Sequence, residues 1–387
     1  MNDNGNGNGG RGGSSRPAWI EVDLGRMRRN VASMRRWAGP GFRWLAVVKA
    51  QAYGHGAVRV ARVALETGAA LLGVATVDEA VELREAGLRG PILLLGERAP
   101  EEFDACLEVG CTLTVGDRAN AAELNRRATA LGRRVPVHVK VDTGMGRFGF
   151  AWTEAAANLR DLASLPGLQV EGVYSHPAGA GGALAGYGRE QLARFESVLR
   201  AWQPHGPMPL RHFCNSEAFV NLPEGHFDLI RTGLLPLGVK PVGPADCPAT
   251  FETVMRVKAR VAVLRRLEGG DSFGYGRSYR APATRTIAVL PLGYGDGYPR
   301  LENQGAVLIR GRRAPVVGTV TMDALAVDVT EVPGVVVGDE AVLLGDQRPE
   351  RISPDELAGW AGTVVHEVLS GWRSRLPRRY LDEGASA

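Results

Sequence analysis

A lysine that closes a short apolar run is the first residue whose setting bears on chemistry. Lys49 ends W-L-A-V-V-K (44–49) and is followed by the turn A-Q-A-Y-G-H-G. Apolar neighbours desolvate an amine and lower its pKa toward the range where it forms Schiff bases. A lysine that merely snorkels from a strand end is the plainer alternative. Arg147 stands on a G-M-G turn after V-K-V-D-T (139–143), where its planar donors match both oxygens of a carboxylate. A surface ion pair is the alternative there. His176 closes G-V-Y-S-H (172–176), and a lone strand-end histidine is more often structural than catalytic.

These side chains need elements to position them. Apolar runs at 44–49, 71–75, 91–95, 111–115, 135–141, 168–174, 210–214 and 227–231 alternate with helical patterns. In T-V-D-E-A-V-E-L-R-E-A-G (76–87), Thr76 or Asp78 caps a helix, Ala80, Leu83 and Ala86 line one face, and Gly87 ends it. Eight strand–helix repeats predict an α/β fold, a closed (β/α)₈ TIM-type barrel with its site at the C-terminal ends of the strands. An open doubly wound sheet is the alternative, lowered by the lack of a G-x-G-x-x-G turn after the first strand. After residue 246 the runs 254–264, 286–292, 306–310, 314–320, 324–329 and 340–344, with one helix at 353–361, predict a mostly β C-terminal domain. The predicted organisation is a disordered Gly/Asn/Ser-rich tail over 1–16, a barrel over 17–245 and a mostly β domain over 246–387.

Composition removes several function classes. The charge balance, 46 − 42 = +4, is small and spread along the chain, which argues against nucleic-acid binding. The basic cluster Arg373, Arg375, Arg378 and Arg379 reads as a solvated helix end or a subunit contact. Cys106, Cys111, Cys214 and Cys247 form no C-x-x-C pair, so free buried thiols are expected, with neither a disulfide framework nor a metal site. Without a signal peptide or an apolar stretch long enough to span a bilayer, a soluble cytoplasmic protein is expected, with no membrane partner.

The segment V-V-K-A-Q-A-Y-G-H-G (47–56) closely resembles the cofactor-lysine motif of the alanine racemase family, fold-type III enzymes that use pyridoxal 5'-phosphate. The resemblance implies that Lys49 carries the cofactor as a Schiff base and that Tyr53 contacts its phosphate. Gln51 stands where the family usually has Asn. V-K-V-D-T-G-M-G-R-F-G (139–149) resembles the segment at the end of the fifth strand. It implies that Lys140, often carbamylated in the family, positions Arg147 near the cofactor and the substrate carboxylate; on the residues alone, an ion pair with Asp142 is the alternative. G-V-Y-S-H implies that His176 stacks on the pyridine, although P-A-G-A-G-G (177–182) departs from the family's continuation. R-H-F-C-N-S-E (211–217) implies phosphate contacts from Asn215 and Ser216, with His212 orienting Arg231. F-D-L-I-R-T-G-L-L-P-L-G (227–238) implies backbone donors at Gly233 and Leu234, with Leu237 replacing a tyrosine.

Arg231 carries the most distinctive expectation. A carboxylate partners the pyridine nitrogen in most enzymes using this cofactor, and an arginine cannot accept that proton. The resulting weaker electron sink shortens the life of a Cα carbanion, which suits a racemase; an ion pair with Asp228 is the structural alternative. In the second domain, S-F-G-Y-G-R-S-Y (272–279) resembles the motif of the second base, Tyr275. P-L-G-Y-G-D-G-Y-P-R (291–300) resembles the substrate gate with Tyr294. G-T-V-T-M-D (318–323) resembles the partner-subunit segment that lines the substrate pocket, with Met322 and Asp323. His366 replaces another family tyrosine. The resemblance implies two-base racemisation of alanine in a homodimer with shared sites. Alternatives are another amino acid (serine, basic or specialised) or a degenerate paralogue that binds the cofactor without racemising; a decarboxylase or a cofactor-carrying protein of the same barrel fits the motifs less well.

Overall fold

The computed structural model describes residues 15–241, 243 and 250–382, so the predicted tail up to residue 14 and Cys247 lie outside the described residues. The chain forms two units, Asp23–Val254 and a second made of Met255–Tyr380 with the strand segment ending at Val22.

The first unit contains the eight predicted parallel strands: Trp44–Val47, Leu71–Val74, Ile92–Leu94, Thr112–Val115, Val135–Asp142, Leu168–Tyr174, Leu210–His212 and Ile230–Thr232. The first seven pair in chain order, and the eighth pairs with the first through Ile230 opposite Trp44. Between the seventh and eighth the ladder is reduced to Asp228 N–H on the Arg211 carbonyl (3.1 Å) and Arg231 N–H on the Cys214 carbonyl (2.9 Å). The barrel is thus nearly closed. Near-continuous apolar strands suit a sheet covered on both faces, and Leu45, Leu71, Leu93 and Leu229 form one buried cluster. Helix Val77–Glu85 starts where the sequence places it: Thr76, rather than Asp78, is the cap, in a reciprocal capping box with Glu79. Gly87 follows with φ 80°.

The second unit is mostly antiparallel sheet, as its short alternating runs predict. Two boundaries differ from the sequence reading. The segment assigned to the start of the barrel contains strand Ala18–Asp23, which pairs antiparallel with Met255–Arg260 in the β unit. Its apolar residues Ala18, Trp19, Ile20 and Val22 are all buried, and Glu21 meets Lys258 at 3.0 Å. The run 254–264 is two strands, Met255–Arg260 and Val263–Leu267, that pair with different neighbours. The C-terminal basic cluster leads into strand Arg378–Leu381 rather than a helix end. Among the described residues no helix is long and apolar enough to cross a membrane. Cys106, Cys111 and Cys214 are buried free thiols.

Candidate active site

The first strand ends at Val47, two residues earlier than its apolar run suggests, because the chain turns left-handed just beyond Lys49. Ala50, Gln51, Ala52 and Tyr53 all have φ between 50° and 54° and ψ between 41° and 54°, a single turn of left-handed helix. L-residues pay roughly 1–2 kcal/mol each for this conformation, and none of the four is glycine. The turn therefore persists only through its contacts. Ala52 N–H donates to the Val48 carbonyl (2.9 Å) and Gly56 N–H to the Gln51 carbonyl (2.7 Å). Buried His55 donates through Nδ1 to the Tyr53 carbonyl at 2.9 Å. Lys49 and Tyr53, one turn apart, stand together at the end of the first strand. Burial and the nearby Arg147 guanidinium push the half-buried Lys49 amine below its ordinary pKa, against an opposing pull from Glu79.

Arg231, in the eighth strand, is buried inside the barrel at 4% exposure. Its guanidinium donates to the Ser175 carbonyl (2.7 Å), the Phe213 carbonyl (2.9 Å), His212 Nδ1 (3.0 Å) and His176 Nδ1 (3.1 Å). None of these acceptors is a carboxylate. The Asp228 alternative is excluded, since Asp228 takes a two-pronged pair from Arg211 at 2.8 and 2.9 Å. Because arginine only donates, both Nδ1 atoms must be lone pairs. His212 then holds its proton on Nε2 and passes a hydrogen bond to His138 Nδ1 at 2.8 Å. Burial, with Arg231 beside them, drives the pKa values of His176 and His212 well below the usual histidine range and that of His138 to about 3. Arg231 itself is pushed down to about 10 and stays charged at neutral pH.

Lys140 is buried, its Nζ 4.3 Å from the centre of the Tyr174 ring. Burial, then Arg231 and Arg147, drive its amine well below its ordinary pKa. Asp142 does not form the ion pair considered from sequence; its carboxylate accepts the N–H groups of Gly144, Met145 and Gly146 at 2.8–2.9 Å and shapes the turn that presents Arg147. Arg147 is exposed and has no salt bridge among the described residues, so the surface-pair alternative is also excluded. Arg147 and Arg231 thus both act on the amines, Arg147 holding down Lys49 and Lys140, and Arg231 Lys140.

Next to the first strand, the eighth strand runs into Gly233, against which the Tyr53 ring lies. A Cβ added to Gly233 would sit 2.7 Å from Tyr53 Oη and 2.8 Å from Cζ, so glycine is required for this approach. Burial raises the Tyr53 phenol to about 12. Ser216 is buried at the start of helix Ser216–Asn221, which follows the seventh strand, and Asn215 caps that helix, its Oδ1 accepting the Ala218 N–H at 2.9 Å. Leu234 and Leu237 are buried. The β unit presents Tyr275 in a turn at 76% exposure. It also joins two segments that sequence treats separately: Tyr294 N–H donates to the Thr321 carbonyl (3.0 Å) and Gly295 N–H to that of Met322 (2.8 Å). Asp323 beside them pairs with Arg375 at 2.6 Å.

Residues 22–241 match the family described as alanine racemase, N-terminal domain, and residues 254–380 match alanine racemase, C-terminal domain. The chain belongs to the alanine racemase family. It is 44% identical to the alanine racemase of Symbiobacterium thermophilum, over 96% of this chain and 98% of that one. It is 43% identical to that of Desulforamulus reducens, over 94% and 99%. Among solved structures, the Clostridium difficile alanine racemase has a TM-score of 0.91 at 30% identity, covering 96% of this chain and 97% of its own. The Bacillus anthracis enzyme with bound L-Ala-P has 0.88 at 33%, covering 96% and 97%.

The family depends on pyridoxal phosphate, and the residues fit that group. An amine held below its ordinary pKa, a phenol packed on an obligatory glycine, and a buried cation whose shell holds no carboxylate match an aldehyde, a phosphate and an unprotonated pyridine nitrogen. The departures from the family pattern are accommodated. Gln51 Nε2 reaches Glu82 at 2.7 Å, and the loop after His176 is held by Ala178 N–H on Gln191 (2.8 Å) and Ala180 N–H on Glu217 (3.1 Å). His366 is exposed on helix Val365–Ser370. The sequence reading passed over His138 and Tyr174. Each lies two residues before an assigned residue, Lys140 and His176, and period-two alternation places such pairs on one strand face. It also missed Glu97, after the third strand, whose carboxyl is raised to about 7 by burial.

Proposed function

We propose that this chain interconverts L- and D-alanine, with Lys49 and Tyr275 serving opposite faces of the substrate Cα. The observation that carries this reading is the shell of Arg231: two carbonyls and two imidazole lone pairs, with no carboxylate. Bound pyridoxal phosphate supplies the electron sink that acidifies the substrate Cα–H. Arg231 would offer the pyridine nitrogen a hydrogen bond and no proton, because arginine only donates, a setting suited to return of the proton to Cα. Lys49, its amine held down by burial and by Arg147, exchanges a proton with one face of Cα. Tyr275 does so on the other; inversion needs both, because one base returns a proton to the face it left.

Arg147 binds the substrate carboxylate, and Met322, Asp323 and Tyr294 border the substrate. Tyr53, Asn215, Ser216, Gly233 and Leu234 would hold the phosphate and His176 the ring of the bound group, and His212 orients Arg231. Lys140 is assigned as a carbamate: a buried amine kept neutral adds to CO₂ and releases one proton, and the anion formed offsets Arg147 and Arg231. Tyr275 is assigned to a second copy of the chain, so the working enzyme is a homodimer. Three buried thiols fit a reducing compartment, the cytoplasm.

The test is formation of D-alanine from L-alanine by the yellow protein. Lys49→Ala should abolish both colour and turnover, and Tyr275→Phe should keep the colour. Mixing the two variants should restore activity through hybrid dimers; its absence, with dimers present, would overturn the shared site.

A further inference from the structure

The left-handed turn after Lys49 is held from outside its own motif. Glu79 lies in the first turn of helix Val77–Glu85, which follows the second barrel strand. Its Oε2 accepts N–H groups of its own segment, Ala75 at 2.7 Å and Thr76 at 3.3 Å. Its Oε1 reaches across to the neighbouring strand–helix unit and accepts the N–H of Ala50 at 2.6 Å. Ala50 is the residue directly after Lys49 and the first of the four left-handed residues. One helical turn further along, Glu82 accepts Gln51 Nε2 at 2.7 Å, a second tie between the same helix and the same turn.

We propose that Glu79 is a positioning residue for Lys49: its carboxylate pins the main chain beside the lysine and thereby aims the amine across the barrel mouth. The proposal rests on the reading of Lys49 as the cofactor lysine. An ordinary capping residue would spend its side chain on its own helix. Here one oxygen does that, and the other takes the N–H at the entrance of a conformation that non-glycine residues avoid. Glu79 also acts on the amine through its charge. The groups bearing on Lys49 are Arg147, which disfavours its protonated form, and Glu79, which favours it; His176 feels the Lys49 charge in turn. Removing the Glu79 charge shifts that balance toward the neutral amine, whereas shortening the side chain withdraws the tie to Ala50 and keeps the charge.

The two effects separate by substitution in the holoenzyme. Glu79→Gln should move the pH-profile limb that belongs to Lys49 downward by about half a unit or more, within the usual span of charge–charge effects. Glu79→Asp, one methylene shorter, should lower kcat about tenfold or more while leaving that limb in place. Cofactor absorption should return more slowly in Glu79→Asp after the cofactor is displaced and re-added. Thr76→Ala, which removes the helix cap without touching Ala50, should lower the melting temperature and leave the limb and kcat as they are. Wild-type kcat and pH profile in both Glu79 variants would overturn the proposal. So would a loss of melting temperature in them with no kinetic change, since that is the signature of a helix cap alone. Lys49→Ala measured alongside separates the underlying reading: colour retained there refutes Lys49 as the cofactor lysine, whereas colour lost there with unaltered Glu79 variants refutes only the positioning role.

Discussion

Gly233→Ala tests whether the Tyr53 ring and the end of the eighth strand form one phosphate cradle. The added Cβ would lie 2.7 Å from Tyr53 Oη and 2.8 Å from Cζ, whereas carbon atoms in ordinary contact are about 3.5–4.0 Å apart. The ring must withdraw by about 1 Å, and Tyr53 is buried, with the left-handed turn fixing its backbone. Forced overpacking of this kind costs about 1–3 kcal/mol. If the strain falls on the cradle, cofactor affinity drops by roughly 5- to 150-fold at 1.4 kcal/mol per decade. The assay is a titration of apoprotein with pyridoxal phosphate, followed by the colour and by the rise in melting temperature on saturation. In a Tyr53→Ala background the obstacle is gone, so adding Gly233→Ala should change affinity little, and the difference between backgrounds measures the coupling. Equal losses in both backgrounds, or no loss in either, would refute the argument.

Arg231→Met leaves two carbonyls and two imidazole lone pairs facing an apolar side chain; a buried acceptor left without its donor costs about 1–3 kcal/mol, seen as a lower denaturant midpoint. Native His138, His176 and His212 resist protonation, while the unfolded chain takes up protons below about pH 6.5. Their contribution to stability therefore falls as pH drops through that value, by up to about 1.4 kcal/mol per unit for each, and for His138 the loss continues to its native value of about 3. Glu97 opposes this by one proton between about 4.5 and 7. His138→Gln should accordingly flatten the slope of unfolding free energy against pH between 6 and 4, measured by urea titration. Lys140 as a carbamate should add the mass of one CO₂ to the native protein, lost on acidification and absent from Lys140→Ala.

The eight barrel strands were legible because a sheet covered on both faces must be written in continuous apolar runs, and helices in a 3.6-residue period, so burial leaves its mark in the residues themselves. The mostly β character of the second unit was legible for the same reason. Strand Ala18–Asp23 was not assigned correctly, since a short run does not name its partner, which here is more than two hundred residues away.

Residue types and spacing also pointed to Lys49 and Arg147, each beside a plainer alternative, and the family resemblance pointed to Arg231. Tertiary structure decided what those charges meet. Asp228 and Asp142 lie close to Arg231 and Lys140 in sequence, yet the fold turns Asp228 onto Arg211 and Asp142 onto the main chain of its own turn. It then fills the shell of Arg231 with acceptors from the sixth and seventh strands. A sequence lists which groups are present; only the folded barrel fixes which of them share a few ångströms of low-dielectric space, and that proximity sets protonation, tautomer and orientation.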